Sequence, residues 1–131
     1  MLSYEETIKL HGHNGPFLAI GYRMGKIAFE KMKPKELMDL KCIVYTFPNK
    51  PFLCILDGIQ GATNCTFGKG NLKFEPQEGV TALFENKEGK RVKIKVNPGI
   101  LKYASDCKVL EECAQEILKK PTQEMFDIEE M

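Results

Sequence analysis

The chain has 131 residues, of which 43% are hydrophobic and 28% charged, and its formal net charge is +1. These values fit one ordinary globular domain over residues 1–131. The small net charge gives no electrostatic reason to expect binding to nucleic acid or to an anionic membrane surface. No stretch approaches the roughly 18 apolar residues of a membrane span. The first residues, MLSYEETIKLHG, carry acids where a signal peptide has basic and then apolar residues. We therefore expect a cytoplasmic protein without nucleic-acid or membrane partners.

The N-terminal part of the chain predicts two helices separated by a break. The string SYEE fits a capping box, which predicts a short helix over Tyr4–Leu10. Pro16 suits the first position of a second helix, and apolar residues recur at helical spacing over Phe17–Met32. Gly21 and Gly25 lie on one side of that helix. Because each glycine costs a helix roughly 1 kcal/mol against alanine, we expect both to allow close packing of this helix against a sheet.

The remaining segments alternate between strand and helix patterns. Helices that flank a run of strands indicate an α+β fold, with a mainly antiparallel sheet covered by helices on one face. The NKEGK string between the last two predicted strands suits a hairpin. The predicted elements are strands over Lys41–Phe47, Asn71–Phe74, Val80–Glu85 and Arg91–Val96, a buried helix over Phe52–Thr63, a helix from the cap Ser105 through Lys120, and a short helix from Pro121.

The five cysteines argue against a disulfide framework, because their number is odd, their spacing is irregular and no CxxC occurs. Cys42 lies in the apolar KCIVYTF strand. Cys107 and Cys113 are six positions apart in a predicted helix, so they do not share a face. We assign these three thiols to packing.

The string HGHNGPF holds both histidines of the chain, His11 and His13. Two rings separated by one residue can point to the same place only if the backbone bends between them, and Gly12 permits such a bend. Neutral imidazole is the commonest metal ligand in proteins. Taken alone, however, the pair is more typical of capping or surface histidines.

Cys54 and Asp57 form a second candidate group. In a helix they share one face with Gly58 and Gly61, so a thiol and a carboxylate could border a pocket where the backbone is thinly covered. The alternative is a small buried cysteine and an aspartate that is hydrogen-bonded to backbone. By themselves, these residues favour the alternative.

A third group is the glycine-rich string CTFGKGN, which begins at Cys65. Backbone amides and the cation of Lys69 could bind an anion there or lower the pKa of the Cys65 thiol. The string is not a phosphate-binding Walker loop, because glycine follows the lysine. The alternative is a structural turn ahead of the strand that begins at Asn71.

These groups occur together in an order that resembles a known family. The strings HGHxxPxLAIGYRMGKIA, CxxDGIQ and TxCTFGKGNL, with the hairpin GVTALFENKEGKRVKIKV and the closing PxxEMFDIEE, are similar to the E-subunit family of formylmethanofuran dehydrogenase. The resemblance implies an α+β core, frequent dimerisation and a metal-binding cleft. Carried over by position, the implied ligands are His11, His13, Cys54 and Cys65, and the neighbouring residues are Asp57, Gln60 and Lys69. Two nitrogens and two sulfurs suit zinc or a similar divalent ion.

The chain departs from the family pattern in two places. The first motif of the family reads HGHxCPG, whereas Gly15 and Phe17 stand here in place of its cysteine and final glycine. This loss removes a thiol from the cleft and argues against redox chemistry by a vicinal pair. Many members also carry a C-terminal zinc finger of paired cysteines, which these residues lack, so the docking partners of that finger are not expected.

The resemblance leaves three functions open. The first is an accessory metal-binding protein linked to one-carbon or methanogenic metabolism. The second is a stand-alone enzyme acting on a small molecule through metal or through the thiolate of Cys54 or Cys65, with Asp57 and Lys69 as further catalytic candidates. The third is an interaction module that has lost its metal. The expected partners are a second copy of the chain, a small molecule in the cleft and other dehydrogenase subunits.

Overall fold

The fold is α+β, as predicted, and the computed structural model describes residues 1–131. None of its helices is both long and apolar enough to cross a membrane. The helices are α1 (Tyr4–His11), α2 (Pro16–Met32), α3 (Cys54–Thr63), α4 (Pro98–Ser105), α5 (Leu110–Lys119) and α6 (Thr122–Met125), and the strands are β1 (Leu40–Thr46), β2 (Leu72–Pro76), β3 (Thr81–Asn86), β4 (Arg91–Val96) and β5 (Phe126–Glu130).

The five strands form one sheet in the order β2-β1-β3-β4-β5. Every neighbouring pair is antiparallel except β1 and β2, which are parallel. Helix α3 lies between these two strands in sequence, and parallel neighbours require such a crossover connection. The sheet is therefore mainly antiparallel, as predicted, with one parallel pair at its edge.

One face of the sheet is buried and the other is open. Val44, Phe84 and Ile94 are fully buried in the core, whereas Lys93 and Lys95, which alternate with the buried residues along β4, are exposed. This alternation is that of a sheet covered on one side only. The helices supply the other half of the core, through residues such as Ile20, Met24 and Ile59.

Helices α2 and α3 approach each other at two glycines. A Cβ atom at Gly21 would overlap the backbone carbonyl of Ile55, and one at Gly58 would overlap the backbone of α2 at Leu18 and Tyr22. Gly25 faces α3 as well, since a Cβ there would lie 2.7 Å from the Cβ of Ala62. The expectation that Gly21 and Gly25 pack on the sheet is therefore wrong. They contact α3, while the bulky apolar residues of α2 belong to the core that this helix forms with the sheet.

Helix α1 packs against α3 as well. A Cβ at Gly61 would overlap the side chain of Thr7, which is fully buried and whose hydroxyl donates to the carbonyl of Ser3 at 2.8 Å. The capping box predicted for α1 is present, with Ser3 as the N-cap. Glycines on α3 thus let α1 and α2 both come close to it, and α1 and α2 also touch each other through the rings of Tyr4 and Tyr22.

The C-terminal third differs from its predicted arrangement. Ser105 ends α4 rather than capping a long helix through Lys120. Helix α4 begins earlier, because Pro98 stands in its first turn and Asn97 caps it by accepting a hydrogen bond from the amide of Gly99 at 2.9 Å. After α6 the chain adds strand β5, which pairs with β4 and had not been predicted.

A disulfide joins Cys107 and Cys113, whose Cα atoms lie 6.3 Å apart. The assignment of these two thiols to packing is therefore wrong. It assumed one continuous helix, whereas the chain turns between α4 and α5 and brings the two residues within bonding range. Cys42, by contrast, is buried in the core as predicted.

Gly21→Ala tests the close approach of α2 and α3. The added methyl group would overlap backbone rather than a flexible side chain, so we expect a loss of about 1–3 kcal/mol or more in the free energy of unfolding, measured by urea denaturation. Gly68→Ala is the matched control, because a Cβ at Gly68 has nothing within 4 Å. Equal stability of the two variants would contradict the packing described.

Candidate functional site

The two histidine rings meet at the end of α1. Gly12 ends the helix in the left-handed conformation, with φ of 106°, and its amide donates to the carbonyl of Ile8 at 2.7 Å. The chain then reverses, so that the ring centroids of His11 and His13 lie 4.5 Å apart. The predicted bend at Gly12 is present, in a conformation that favours glycine.

The loop after His13 is held by Tyr4 of α1. The Tyr4 hydroxyl donates to Oδ1 of Asn14 at 2.6 Å. Burial raises the pKa of Tyr4 to about 12, so the phenol keeps its proton at physiological pH and remains a donor. Pro16 then occupies the first turn of α2, with Gly15 as the N-cap. The histidine loop is therefore fixed at both ends.

Cys54 and Asp57 approach the histidines from α3. Cys54 is the first residue of the helix, and Asp57 follows one turn later. The carboxylate Oδ2 of Asp57 lies 2.6 Å from Nδ1 of His11. A carboxylate only accepts, so the hydrogen in this contact belongs to Nδ1. This leaves Nε2 of His11 free, and that atom is buried without a hydrogen-bond partner.

One ligand atom from each of His11, His13 and Cys54 lies within 4.8 Å of the other two. Donors around a tetrahedral zinc ion are separated by roughly 3.5 Å, given bonds of about 2.0–2.3 Å. The three side chains therefore need only a small contraction to share one ion. Two imidazole nitrogens and one sulfur are a donor set that suits zinc. The buried, unpartnered Nε2 of His11 also fits a metal ligand, since a buried polar atom otherwise costs stability.

The Cys54 thiol carries a proton when no metal is bound. Burial raises its pKa above the ordinary value, and the negative charge of Asp57 raises it further. A metal that binds Cys54 as thiolate must therefore displace this proton.

Cys65 lies apart from the cluster. It is buried in the core, and its thiol lies 3.4 Å from the carbonyl oxygen of Leu40. It follows the C-terminal end of α3, whereas Cys54 begins that helix. At 1.5 Å per residue, ten residues span roughly 15 Å, so Cys65 cannot share an ion with the histidines. Because this helix separates Cys65 from Cys54, the expectation that Cys65 is a ligand is wrong.

The loop that begins at Cys65 is a structural turn. The ammonium of Lys69 donates to the carbonyl of Asn64 and to Oγ1 of Thr66, so it closes the loop at the end of α3. Burial raises the pKa of the Cys65 thiol, and the charge of Lys69 offsets this only in part. Lys69 therefore does not activate the thiol, contrary to the expectation. Gln60 lies one turn beyond Asp57 on α3 and is half-buried.

One neighbour of the cluster, Leu110, had no signal in the sequence. A Cβ at Gly15 would lie 3.6 Å from Nε2 of His13 and 4.0 Å from the Cβ of Leu110. Leu110 begins α5, which packs on α2. Local patterns cannot report that Leu110 lies beside Gly15, because the two residues are far apart in the chain.

We expect alkylation of the folded protein to modify Cys54 before the other free thiols. Cys54 is partly exposed, whereas Cys42 and Cys65 are buried, and the pKa of all three lies above its ordinary value. Labelling should therefore be slow at neutral pH and faster as the pH rises toward the thiol pKa. Mass spectrometry after iodoacetamide treatment measures this, with Cys54→Ser as the control. Faster labelling of Cys65 would contradict the described burial.

Comparison with known proteins identifies relatives of this chain. The family model described as "FmdE, Molybdenum formylmethanofuran dehydrogenase operon" matches residues 10–128. A probable S-adenosyl-L-methionine-binding protein of Archaeoglobus fulgidus is 34% identical over 105 residues, and the match covers 74% of this chain. This chain spans only 27% of that relative's length.

The crystal structure of a tungsten formylmethanofuran dehydrogenase FmdE-like protein from Syntrophus aciditrophicus has a similar fold. The TM-score is 0.63 at 21% identity, and the match covers 98% of this chain and 72% of that chain. At this identity the likeness concerns the fold alone. Because the family model spans nearly all of the sequence, from the end of α1 to β5, the chain belongs to the FmdE family.

Proposed function

We propose that this protein binds one divalent metal ion, zinc, through His11, His13 and Cys54, in an accessory role linked to one-carbon or methanogenic metabolism. The observation that carries the proposal is the convergence of three donors from two separate segments, with Nε2 of His11 buried and unpartnered. Family membership supports the metabolic link, since the family is named for the formylmethanofuran dehydrogenase operon.

Asp57 acts in this proposal as a positioning residue. Its carboxylate holds the hydrogen of His11 on Nδ1 and so presents Nε2 to the ion. Metal-binding histidines commonly donate their second nitrogen to a carboxylate in this way, which fixes the ring and its tautomer. The Asp57 side chain is 43% exposed while that of His11 is 11% exposed, so the pair connects the buried donor to solvent.

A second candidate function is a metal-dependent enzyme that acts on a small molecule. Catalytic zinc sites commonly have three protein ligands and keep one position open, whereas structural sites have four. The cluster has three donors, which favours this function over a purely structural site. Zinc would supply Lewis acidity to a molecule bound at the open position. The interaction-module hypothesis has less support, because three metal donors are retained together.

The proposed partners do not follow from the site geometry. A homodimer, a small molecule in the cleft and association with other dehydrogenase subunits stay predictions. The uncovered face of the sheet supports an assembly through its partly buried apolar residues Ile43 and Leu83.

Sedimentation at micromolar concentration should show a dimer, and a pure monomer would count against the proposed homodimer.

Metal content tests the donor set directly. Protein purified without added metal, then loaded with zinc and passed through a desalting column, should retain about one ion per chain by elemental analysis. His11→Ala and Cys54→Ser should each lose most of this zinc, because each removes one of three donors. Cys65→Ala is the control and should retain zinc as the unmodified protein does, provided circular dichroism shows that it is folded. If Cys65→Ala lost its zinc while His11→Ala and Cys54→Ser kept theirs, the assignment of the three donors would be overturned.

Asp57→Asn tests the positioning role. We expect the zinc dissociation constant to rise about 10- to 100-fold, as for other residues that orient a metal ligand. The amide keeps the size of the carboxylate but no longer requires the hydrogen on Nδ1. Asp106→Asn is the matched control, because Asp106 is exposed and pairs only with Lys102. Competition with a zinc indicator measures both constants, and equal values would remove Asp57 from the site.

A further inference from the structure

Gly15 borders the cluster without contributing a side chain. A Cβ there would meet only ordinary contacts, at 3.6 Å from Nε2 and 3.7 Å from Cδ2 of the His13 ring and at 4.0 Å from the Cβ of Leu110. The backbone of Gly15 is extended, with φ of −166°, so side chains other than glycine can occupy the position. Space for additional atoms is therefore present beside the histidine ring.

None of the other cysteines of this chain is free to use that space. Cys42 and Cys65 are buried in the core, and Cys107 is bonded to Cys113. The carboxylate of Asp57 is engaged with His11. A fourth sulfur donor to an ion held by the cluster must therefore come from outside the chain.

We propose that the space beside Gly15 binds a small alkyl thiol from solution, whose thiolate completes the donor set of the ion. This inference rests on the proposed metal site. A divalent ion bound by one thiolate and two neutral imidazoles keeps a net positive charge and takes an anionic donor. Sulfur suits a set that already includes Cys54. The hydrocarbon side chain of Leu110, which is 47% exposed, offers an apolar wall to the alkyl part.

Cobalt substitution provides the test. Cobalt(II) at half the protein concentration should give thiolate-to-metal charge-transfer absorption from Cys54. Adding 2-mercaptoethanol should raise this absorption about two-fold, because one sulfur donor becomes two. The thiol gives its proton to the buffer and forms one bond to cobalt, and no electrons are transferred. Since an added thiol can also reduce the disulfide, the titration is repeated on the Cys107→Ser/Cys113→Ser double variant, which should respond in the same way.

Gly15→Cys supplies the decisive comparison. It should show the higher absorption without added thiol and no further rise with it, because the internal sulfur fills the space. Gly68→Cys is the matched control, since it adds a thiol at an open loop position, and it should still respond to 2-mercaptoethanol.

The outcomes separate the two proposals. Absence of any charge-transfer band in the unmodified protein would overturn the proposed metal site itself. A Cys54 band that 2-mercaptoethanol leaves unchanged would overturn the thiol inference while the metal site stands. A response that persists in Gly15→Cys, or a spectrum that changes with acetate or azide but not with thiol, would also overturn it.

Discussion

The close approach of α2 and α3 is the constraint on which the arrangement depends. At Gly21 and Gly58 the two helices touch backbone to backbone, with no space for a Cβ atom on either side. This contact fixes the position of α3, and Gly61 lets α1 lie against the same helix. The first turns of α3 therefore meet the end of α1. Without these glycines the helices would be held apart by side chains, and Cys54 and Asp57 would not reach the histidines.

The site follows from that helix packing and from one turn of the backbone. Thr7 lies against Gly61 and His11 contacts Asp57, so α1 and α3 run antiparallel. The left-handed turn at Gly12 then brings His13 back beside His11. The donors thus lie on two rigid helix ends and one short loop, and the loop is tied to α1 by Tyr4. Such a site needs little reorganisation to bind an ion, which favours affinity.

The sequence was informative where the chemistry is local. The bend at Gly12, the shared face of Cys54 and Asp57, and the capping box at Ser3 each depend on residues within a few positions of each other, and all three are present. Cys65 was misplaced because its distance from Cys54 depends on the length of an intervening helix rather than on its own motif.

The disulfide, strand β5 and the position of Leu110 beside Gly15 were missed for a related reason. Each depends on where the chain turns or on which distant segments pack together, and periodicity does not report either.

X-ray absorption at the zinc edge of the loaded protein would observe the proposed donor set itself. We predict one sulfur at about 2.3 Å and two imidazole nitrogens at about 2.0 Å. Two protein sulfurs without added thiol, or no sulfur, would contradict it.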